Sequence, residues 1–466
     1  MSNHRSKHRE IGRERRKQAS RSSHGDWAPA ADRTDPFDLL QKQDKDRLQH
    51  LIPIKYGRML ESPFAFLRGS AVVMAADLSA TPDSGIDAMI CGDAHISNLG
   101  LFATPERKLV FDMNDFDEAY LGPWEWDLKR LVASVVVAGR GNGYSEKACR
   151  RMVKKVVTVY KEAMNRFSSA STLDMWYYHV DAGAVQAVFD ETSSKRGSQR
   201  AEKMIAKART RTQQQTLDKL TSMEDGRRRI IANPPLVVPF REQLLETEIA
   251  GEEEAKRLAM KGVEGAWSQY LDSLSDDRRV LLERYHIIDG ALRVGGVGSV
   301  GTRCIILLLE ARDVDDAIIL QLKEAGSSVL EAYHPREAQR GPAERVVIAQ
   351  RLMQTSSDMF LGWHKSDQTY RDFYWRQLKD MKGSADIEEM EDKNFETYIN
   401  LCTWCLARAH ARTGDSSAIA GYIGLNDTFA KAMAKFAVAY ADQTERDYEA
   451  LVAAVESGQI IAETGI

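Results

Sequence analysis

The sequence has few cysteines and no long apolar run. Five cysteines in 466 residues are too few for a disulfide framework and suit a reducing compartment. No uncharged apolar stretch approaches the roughly 20 residues that a membrane-spanning helix needs. The amino terminus also lacks the apolar middle region of a secretory signal. These absences predict a cytoplasmic protein without a membrane span.

The chain also lacks a strong excess of charge of either sign. Its formal net charge is −4 and its isoelectric point is about 6.3, which gives no sign of a specific nucleic-acid partner. The beginning is different, because it is polar and rich in arginine and lysine before Trp27, and this predicts a disordered basic tail over residues 1–35. With 43% hydrophobic residues, the remainder can bury a large core in two or three lobes.

The most informative stretch runs from Cys91 to Arg130. The segment CGDAHISN at residues 91–98 fits neither a helical nor a strand period, and Gly92 favours a tight loop. On such a loop Asp93 and Asn98 converge on one centre. A short apolar segment then predicts a strand, and acidic residues follow it at positions 112, 115 and 117. Carboxylate and amide oxygens of this kind suit Mg²⁺, with Asp112 and Asp115 as the alternative carboxylate ligands.

The pattern Asp-x-His-x-x-Asn, followed by a strand and Asp-Phe-Asp, resembles the catalytic loop and metal-binding aspartate of the protein-kinase-like fold. The closest form of the pattern is that of aminoglycoside phosphotransferases, in which a helix opening with Asp-Leu follows the metal ligand after about a dozen residues. Here Asp127 and Leu128 open a helical pattern, and 127 − 115 = 12, which favours Asp115 over Asp112. Cys91 departs from the histidine usual in those enzymes.

The longer string around these motifs is also similar to an uncharacterised bacterial family catalogued as domain of unknown function 2252. That resemblance covers most of the chain from about Asp35 onward and implies no substrate. Before the loop, Arg68 ends an apolar stretch. An ion pair with an acidic residue is the favoured role for Arg68, and contact with a phosphate is the alternative.

A glycine-rich segment lies near residue 300. Gly296, Gly298 and Gly301 form G-x-G-x-x-G, with Ser299 inside it. A dinucleotide-binding fold needs such glycines to open a helix. Here an apolar run follows them, then a turn and a second apolar run that ends at Lys323. Strand, glycine loop, strand, turn and strand with lysine is the order found over ATP in the kinase-like small lobe.

The last of these strands predicts where its lysine points. Ile318, Leu320 and Leu322 fall on one face, so that Lys323 lies on the other face and contacts the nucleotide phosphates. A kinase-like fold also needs a helix acid that holds this lysine. Glu344, after Pro342 in a helical pattern, is the preferred candidate, and Glu331 is the rival.

The motifs stand in an unusual order. Residues 379–384 are a candidate hinge, and a helix over Phe395–Ala411 resembles the segment that precedes the catalytic loop in aminoglycoside phosphotransferases. The loop and metal motifs therefore come first in this chain, and a circular permutation accounts for that. The resemblance implies an α+β, protein-kinase-like fold of two lobes. The expected parts are the tail at 1–35, a mostly helical large lobe at 36–285, a small β-rich nucleotide-binding lobe at 286–384 and a helical return to the large lobe at 385–466.

The expected function is phosphoryl transfer from ATP with Mg²⁺ to an unidentified hydroxyl acceptor, either a small molecule or a protein. The resemblance implies Asp93 as the group that orients the acceptor and takes its proton, and Asn98 and Asp115 as metal ligands. It implies nucleotide binding by Gly296, Gly298, Ser299, Gly301, Lys323 and Glu344. Transfer of AMP by the same fold, a nucleotide-binding pseudokinase and a non-enzymatic scaffold are the alternatives.

Overall fold

The computed structural model describes residues 2–241, 265–337, 340–366, 371–378 and 381–466. It is a mixed α+β structure with 53% helix and 16% strand. Residues 242–264 of the predicted large lobe, and Lys379 and Asp380 of the predicted hinge, lie outside the described residues. Residues 265–272 are also helical. The other helices are α1 (Ser2–Arg15), α2 (Pro36–Asp44), α3 (Ile52–Met59), α4 (Pro63–Gly69), α5 (Ala71–Ser79), α6 (Trp124–Gly141), α7 (Glu146–Ser169), α8 (Thr172–Tyr177), α9 (Ala182–Thr192), α10 (Lys195–Thr210), α11 (Gln213–Leu220), α12 (Asp276–Leu282), α13 (Pro342–Met353), α14 (Asp392–Thr413), α15 (Ser416–Ile423) and α16 (Thr428–Glu456).

The described strands form one large sheet and three two-stranded ribbons. They are β1 (Asp87–Ile90), β2 (Leu99–Ala103), β3 (Leu109–Met113), β4 (Tyr120–Pro123), β5 (Thr221–Glu224), β6 (Arg227–Ile230), β7 (Val237–Pro239), β8 (His286–Arg293), β9 (Cys304–Glu310), β10 (Ala317–Ala325), β11 (Gly362–Ser366) and β12 (Arg371–Gln377). The ribbons pair β1 with β4, β2 with β3, and β5 with β6. The large sheet is antiparallel in the order β11-β12-β10-β9-β8-β7. Strands β8 to β12 lie inside the predicted β-rich segment, and β7 joins the sheet from outside it.

Strand β10 separates two apolar layers. Ile318, Leu320 and Leu322 pack on one face, against side chains of β9 and β12. Ile319 packs in a different cluster on the other face, and Lys323 shares that face by alternation. The alternation predicted from the sequence is therefore confirmed. Helix α13 follows β10 and packs against β10, β11 and β12.

The long helices bury the largest core. Helices α6 and α7 pack on each other and on α14 and α16. Trp124 at the start of α6 stacks on Tyr160 of α7 with ring centroids 5.4 Å apart. Helix α14 extends the helix predicted over Phe395–Ala411 at both ends. In the described part of the chain, no helix has the length and apolar character needed to cross a membrane.

The basic beginning of the chain forms a helix that packs on the rest of the structure, whereas the sequence analysis predicted disorder over residues 1–35. Helix α1 lies against α15 so closely that a Cβ on Gly12 would stand 1.9 Å from the carbonyl oxygen of Ala418. Arg5 donates to the carbonyls of Ser169 and Ala170 at the end of α7, at 2.9 and 2.7 Å. Arg16 donates to the carbonyl of Tyr422 in the last turn of α15, at 2.9 Å. The arginines thus satisfy carbonyls at helix C-termini, where positive charge is favoured.

Acidification is expected to weaken this docked segment through His24. The imidazole is 1% exposed, its Nε2 lies 2.6 Å from the hydroxyl of Tyr422, and burial lowers its pKa to about 3. The folded pKa is below the unfolded value of about 6.5, so the contribution of His24 to stability is present above pH 6.5 and is lost as the pH falls. We expect wild type to lose about 2 kcal/mol more unfolding free energy than His24→Gln between pH 7 and pH 5. Urea unfolding at both pH values measures this, and equal losses would contradict it.

Candidate active site

The loop after β1 and the loop after β3 meet at one cavity of about 360 Å³. Asp93, Asn98 and Asp115 all line this cavity. The Nδ2 of Asn98 donates to the backbone carbonyls of Asp93 and Asp115 at 3.1 and 3.2 Å, which holds the two loops together. The backbone N–H of Asn114 donates to the carbonyl of Asn98 at 2.9 Å. The structure therefore brings together the three residues that the motifs single out.

The loop at residues 91–98, called the catalytic-type loop below, is held in place by the first turn of α6. The carboxylate of Asp127 accepts from the backbone N–H groups of Cys91 and Gly92 at 2.8 and 2.9 Å. It also lies 3.2 Å from Nε2 of His410, near the end of α14. Gly92 has a φ of +76°, and a Cβ there would stand 2.2 Å from the carbonyl oxygen of Glu118. Only glycine fits this turn, as the sequence indicated.

Asp93 is held by an arginine that the sequence analysis did not single out. The Nε and Nη2 of Arg130 lie 2.8 and 2.7 Å from Oδ1 of Asp93, and the side chain of Arg130 is 2% exposed. Nη2 also donates to the carbonyl of Leu67 at 2.6 Å. Arg130 follows Asp127 by three residues on α6, so the spacing of both residues on one helix face was the signal. The pair gives the Asp93 carboxylate a fixed orientation.

His95 does not orient the Asp93 carboxylate in the way that Arg130 does. Its Nε2 lies 3.6 Å from Oδ2 of Asp93, and burial lowers the pKa of His95 to about 4. The imidazole is therefore neutral at neutral pH. His95 belongs to the same loop as Asp93, and we assign it a structural role in that loop.

Lys323 forms ion pairs with the loop between β3 and β4, called the metal-type loop below, which carries Asp115 and Asp117. Its Nζ lies 2.5 Å from Oδ2 of Asp117 and 3.9 Å from Oδ1 of Asp115, and its side chain is 4% exposed. Oδ1 of Asp117 accepts a hydrogen bond from the Tyr374 hydroxyl at 2.6 Å. Burial alone would lower the pKa of Lys323, but the charges of Asp115 and Asp117 raise it well above its usual value. Lys323 is therefore a fixed cation at neutral pH.

The two aspartates of this loop differ in their electrostatics. Burial raises the pKa of Asp115, and the negative charge of Asp117 raises it further. Burial also opposes ionisation of Asp117, but the charge and hydrogen bond of Lys323 lower its pKa. Among the described residues, the cation nearest to Asp115 is Lys323, whose Nζ lies 3.9 Å from Asp115 and is paired more closely with Asp117 at 2.5 Å. A divalent cation would supply the missing positive charge.

The structure does not bring Glu344 to Lys323. Glu344 pairs with Arg340 at 3.1 Å, and the rival Glu331 accepts from the backbone N–H of Ser328 at 3.0 Å. Within the described residues, the ion pairs of Lys323 are those with Asp115 and Asp117. The neighbour of Glu344 on α13, Arg345, faces the loop and donates to the backbone carbonyls of Asp117 and Gly326, both at 2.9 Å. Arginine thus occupies the helix face where the sequence analysis expected an acid.

Asp112 has a different environment from Asp115. It is 1% exposed, and both of its carboxylate oxygens lie 2.7 Å from Nη2 of Arg408 on α14. It also accepts from the backbone N–H of Thr355 at 3.1 Å. With these partners Asp112 is part of the core, and Asp115 is the carboxylate at the cavity.

The glycine loop connects β8 and β9 and reaches the same cavity. Gly298 and Ser299 line it, beside Asp93 and Asp115. Gly301 has a φ of +86°, and its carbonyl accepts from the backbone N–H of Leu48 at 2.7 Å. The loop is therefore attached to the segment between α2 and α3, and its tip lines the cavity that Asp93 and Asn98 also line.

A larger cleft of about 800 Å³ adjoins the same glycine loop. Gly295 and Gly296 line it, together with Gln321 of β10, Arg376 of β12 and Arg293 at the end of β8. The Nε of Arg376 donates to Oε1 of Gln321 at 3.0 Å. The Arg293 side chain forms no hydrogen bond or ion pair with any residue that the structure describes. The cleft is thus large enough for a nucleotide and carries positive charge on its sheet wall.

The side-chain oxygens at the 360 Å³ cavity fit Mg²⁺ that is bound together with a nucleotide. The described residues hold no group of three or more His, Cys, Asp and Glu side chains that could bind a metal by themselves. One carboxylate, Asp115, and one amide oxygen, that of Asn98, remain as the protein ligands. Mg²⁺ is commonly held by one or two such groups together with substrate phosphates and water. The set therefore suits Mg²⁺ that arrives with a phosphate ligand.

Lys323 and Asp117 are expected to be energetically coupled, unlike Lys323 and Glu344. In a double-mutant cycle of Lys323→Met and Asp117→Asn, we expect a coupling energy of about 1–3 kcal/mol in urea unfolding, because removal of either charge leaves the other buried. The matched cycle of Lys323→Met with Glu344→Gln is the control. Its coupling should be near zero, since Glu344 pairs with Arg340. Equal coupling in the two cycles would contradict the observed pairing.

Comparisons with known proteins give one result. No curated protein and no solved structure matches the chain significantly. A family of bacterial proteins matches over residues 47–454, which is most of the chain. The similarity to that family noted from the motifs is therefore confirmed, and the chain belongs to the family described as "uncharacterized protein conserved in bacteria" (DUF2252).

Proposed function

We propose that this protein is an ATP- and Mg²⁺-dependent phosphotransferase of kinase-like fold that acts on a hydroxyl group. One observation carries the proposal: a single cavity is lined by Asp93, Asn98, Asp115 and the glycine-loop residues Gly298 and Ser299. Protein kinases use the same kinds of residue, namely a glycine-rich loop over the phosphates, a strand lysine, a catalytic-loop Asp and Asn, and a metal-binding Asp.

The sheet supports the proposal. Strands β8, β9 and β10 are consecutive neighbours, with the glycine loop between the first two and Lys323 on the third. Lys323 stands over the metal-type loop at 3.9 Å from Asp115. A lysine at this distance would contact phosphate oxygens shared with a cation at Asp115.

A circular permutation is part of the proposal, and the end of α14 supports it. The hydroxyl of Thr413 donates to the carbonyl of Met89 in β1 at 3.3 Å. A Cβ on Gly414 would stand 3.0 Å from the carbonyl oxygen of Asp87. The residues after His410 therefore lie beside the strand that leads into the Asp93 loop. A direct connection at this point would restore the usual motif order, as permutation requires.

In the proposed reaction, the oxygen of the acceptor hydroxyl bonds to the γ-phosphorus of ATP. The bond from that phosphorus to the bridging oxygen breaks, ADP leaves, and the hydroxyl proton passes to Asp93. Arg130 fixes the direction of the Asp93 carboxylate, and Lys323 binds phosphate oxygens. Asn98 and Asp115 would hold Mg²⁺, which supplies positive charge to the phosphates. The glycine-loop N–H groups at Gly296, Gly298, Ser299 and Gly301 would contact the same phosphates.

Transfer of AMP is a second candidate, and the larger cleft favours it. Arg293 and Arg376 both line that cleft. An adenine base prefers apolar contacts, so two arginines suit phosphates better than they suit the base. If the β- and γ-phosphates occupied this position, the hydroxyl would attack the α-phosphorus, and pyrophosphate would leave. The same Asp93 would accept the proton.

The products formed from ATP distinguish these reactions without knowledge of the acceptor. Wild type incubated with Mg²⁺ and ATP, with water as a slow acceptor, should form ADP and phosphate, and Asp115→Asn should not. AMP and pyrophosphate in place of ADP would support the second candidate. Neither pair of products, together with no ATP binding, would contradict both reactions and favour a scaffold.

A further inference from the structure

One wall of the 360 Å³ cavity is built from the segment between α2 and α4. Lys42, Asp46, Arg47 and Arg68 line the cavity from this wall. The roles proposed above for ATP and Mg²⁺ use none of these side chains. The wall is therefore the part of the cavity that remains for the acceptor.

Arg68 is the most unusual side chain of the wall. It has no hydrogen bond or ion pair with its side chain among the described residues, and its Nε is buried without a partner. The ion pair that the sequence analysis favoured is therefore not formed with any residue that the structure describes. An unsatisfied buried N–H of a charged group is costly, so a partner that enters the cavity would be bound favourably.

The wall carries Arg47 as a second cation with a buried side chain, while Lys42 and Asp46 are both exposed. The Asp44 carboxylate serves two cations, with Lys55 Nζ at 2.6 Å and Arg47 Nε at 3.2 Å from Oδ1. All three side chains are at most 8% exposed. One buried carboxylate thus balances only one of two buried cations.

The acids across the cavity do not cancel this excess. Asp117 is paired with Lys323, and Asp93 is paired with Arg130. Glu118 accepts from the backbone N–H of Val329 at 2.7 Å, and burial raises its pKa to about 7. Glu324 also lines the cavity and is paired with Arg303 and Arg371. Among the acids that line the cavity outside the wall, Asp115 remains, and it is the residue proposed to bind Mg²⁺.

We propose that the acceptor is an anionic hydroxy compound whose phosphate or carboxylate group is bound by Arg68, while its hydroxyl lies against Asp93. This inference rests on the proposed function and names its substrate class. The guanidinium of Arg68 matches phosphate and carboxylate oxygens in geometry as well as charge. A cationic group of an acceptor at this position would be repelled by Arg68.

The position of Arg68 favours the acceptor over ATP as the source of the anion. Its backbone carbonyl lies below the tip of the glycine loop, 3.4 Å from a Cβ built on Gly298. Arg68 therefore stands on the helical side of that tip, whereas Lys323, Arg293 and Arg376 stand on the sheet side. The cations on the sheet side would bind the nucleotide, and Arg68 would bind the acceptor.

The test uses inorganic phosphate as the probe, with chloride at equal ionic strength as reference. Phosphate is titrated into wild type, Arg68→Gln, Arg68→Lys and the surface control Arg340→Gln, and thermal stability is followed. Each titration is run without nucleotide and again with Mg²⁺ and a non-hydrolysable ATP analogue at saturation. The melting temperature in chloride alone shows that each variant is folded.

We expect wild type and Arg340→Gln to bind phosphate in both settings, with at least tenfold weaker binding in Arg68→Gln and partial recovery in Arg68→Lys. Affinity for the ATP analogue should change less than threefold. Phosphate binding that is absent in wild type, or equal in Arg68→Gln, would overturn the inference. An equal loss of analogue affinity in Arg68→Gln would also overturn it, because Arg68 would then serve the nucleotide.

The two proposals fail in different ways. If the analogue does not bind wild type, the proposed function fails, and the titration without nucleotide still decides whether Arg68 binds an anion. If the analogue binds with Mg²⁺ but phosphate binding is unaffected by Arg68→Gln, only the acceptor class is wrong.

Discussion

Asp93→Asn is expected to lower the rate of phosphoryl transfer by about 10²–10⁴-fold, which is the usual contribution of a positioned general base. The substitution keeps the size of the side chain but removes the group that would accept the hydroxyl proton. Affinity for ATP should change by no more than a few-fold, because Asp93 faces the acceptor and the nucleotide is bound by other residues. The measurement is the initial rate of ADP formation, with ATP affinity determined separately.

The matched control for Asp93→Asn is Asp26→Asn. Asp26 pairs with Lys435 on the surface, where both side chains are about two-thirds exposed, so its loss should leave the rate unchanged. Arg130→Met tests the orienting pair and should lower the rate through Asp93 while ATP affinity is kept. A loss below about threefold in Asp93→Asn would contradict the role assigned to this carboxylate.

Asp112→Asn and Asp115→Asn are expected to affect different properties. The first should lower stability, and the second should change ATP binding. Asp112→Asn removes the charge partner of Arg408, whose guanidinium is 2% exposed, and should lower the unfolding free energy by about 3–5 kcal/mol. Asp115→Asn should change stability little, because Lys323 keeps its closer pair with Asp117 and because Asp115 repels Asp117. It should instead abolish the effect of Mg²⁺ on ATP binding.

Urea unfolding at pH 7 and ATP titration with and without Mg²⁺ measure the two variants side by side. Each is the control for the other, since they make the same chemical change three residues apart. If Asp112→Asn lost the Mg²⁺ effect while Asp115→Asn unfolded easily, the assignment of the two aspartates would be reversed.

Some of the fold and site followed from local patterns. The face of β10 that carries Lys323 could be predicted because strand alternation depends only on neighbouring residues. Gly92 could be placed in a turn for the same kind of reason, since its φ of +76° is a local requirement. The spacing between Asp115 and Asp127 was informative because it reflects the length of one loop and one short strand. These features needed no knowledge of distant contacts.

Other features depend on contacts between segments that are far apart in the chain. Which acid reaches Lys323 depends on how α13 is rotated, and the rotation that directs Arg345 to the Asp117 loop leaves Glu344 with Arg340. The basic start of the chain shows the same limitation. Arg16 has a partner because the end of α15 lies beside it, about 400 residues later. Composition alone records the charge of these arginines and not their carbonyl partners.

The central claim is that the Asp115 loop and the glycine loop bind ATP together with Mg²⁺. Thermal unfolding of wild type and Asp115→Asn with ATP, with and without Mg²⁺, tests it most directly, with NADH as the control ligand. At about 100 times Kd, ATP with Mg²⁺ should stabilise wild type by about 2.7 kcal/mol. Asp115→Asn should lose the Mg²⁺-dependent part, and NADH should have no effect. No stabilisation of wild type by ATP and Mg²⁺, or equal stabilisation of both proteins, would contradict the claim.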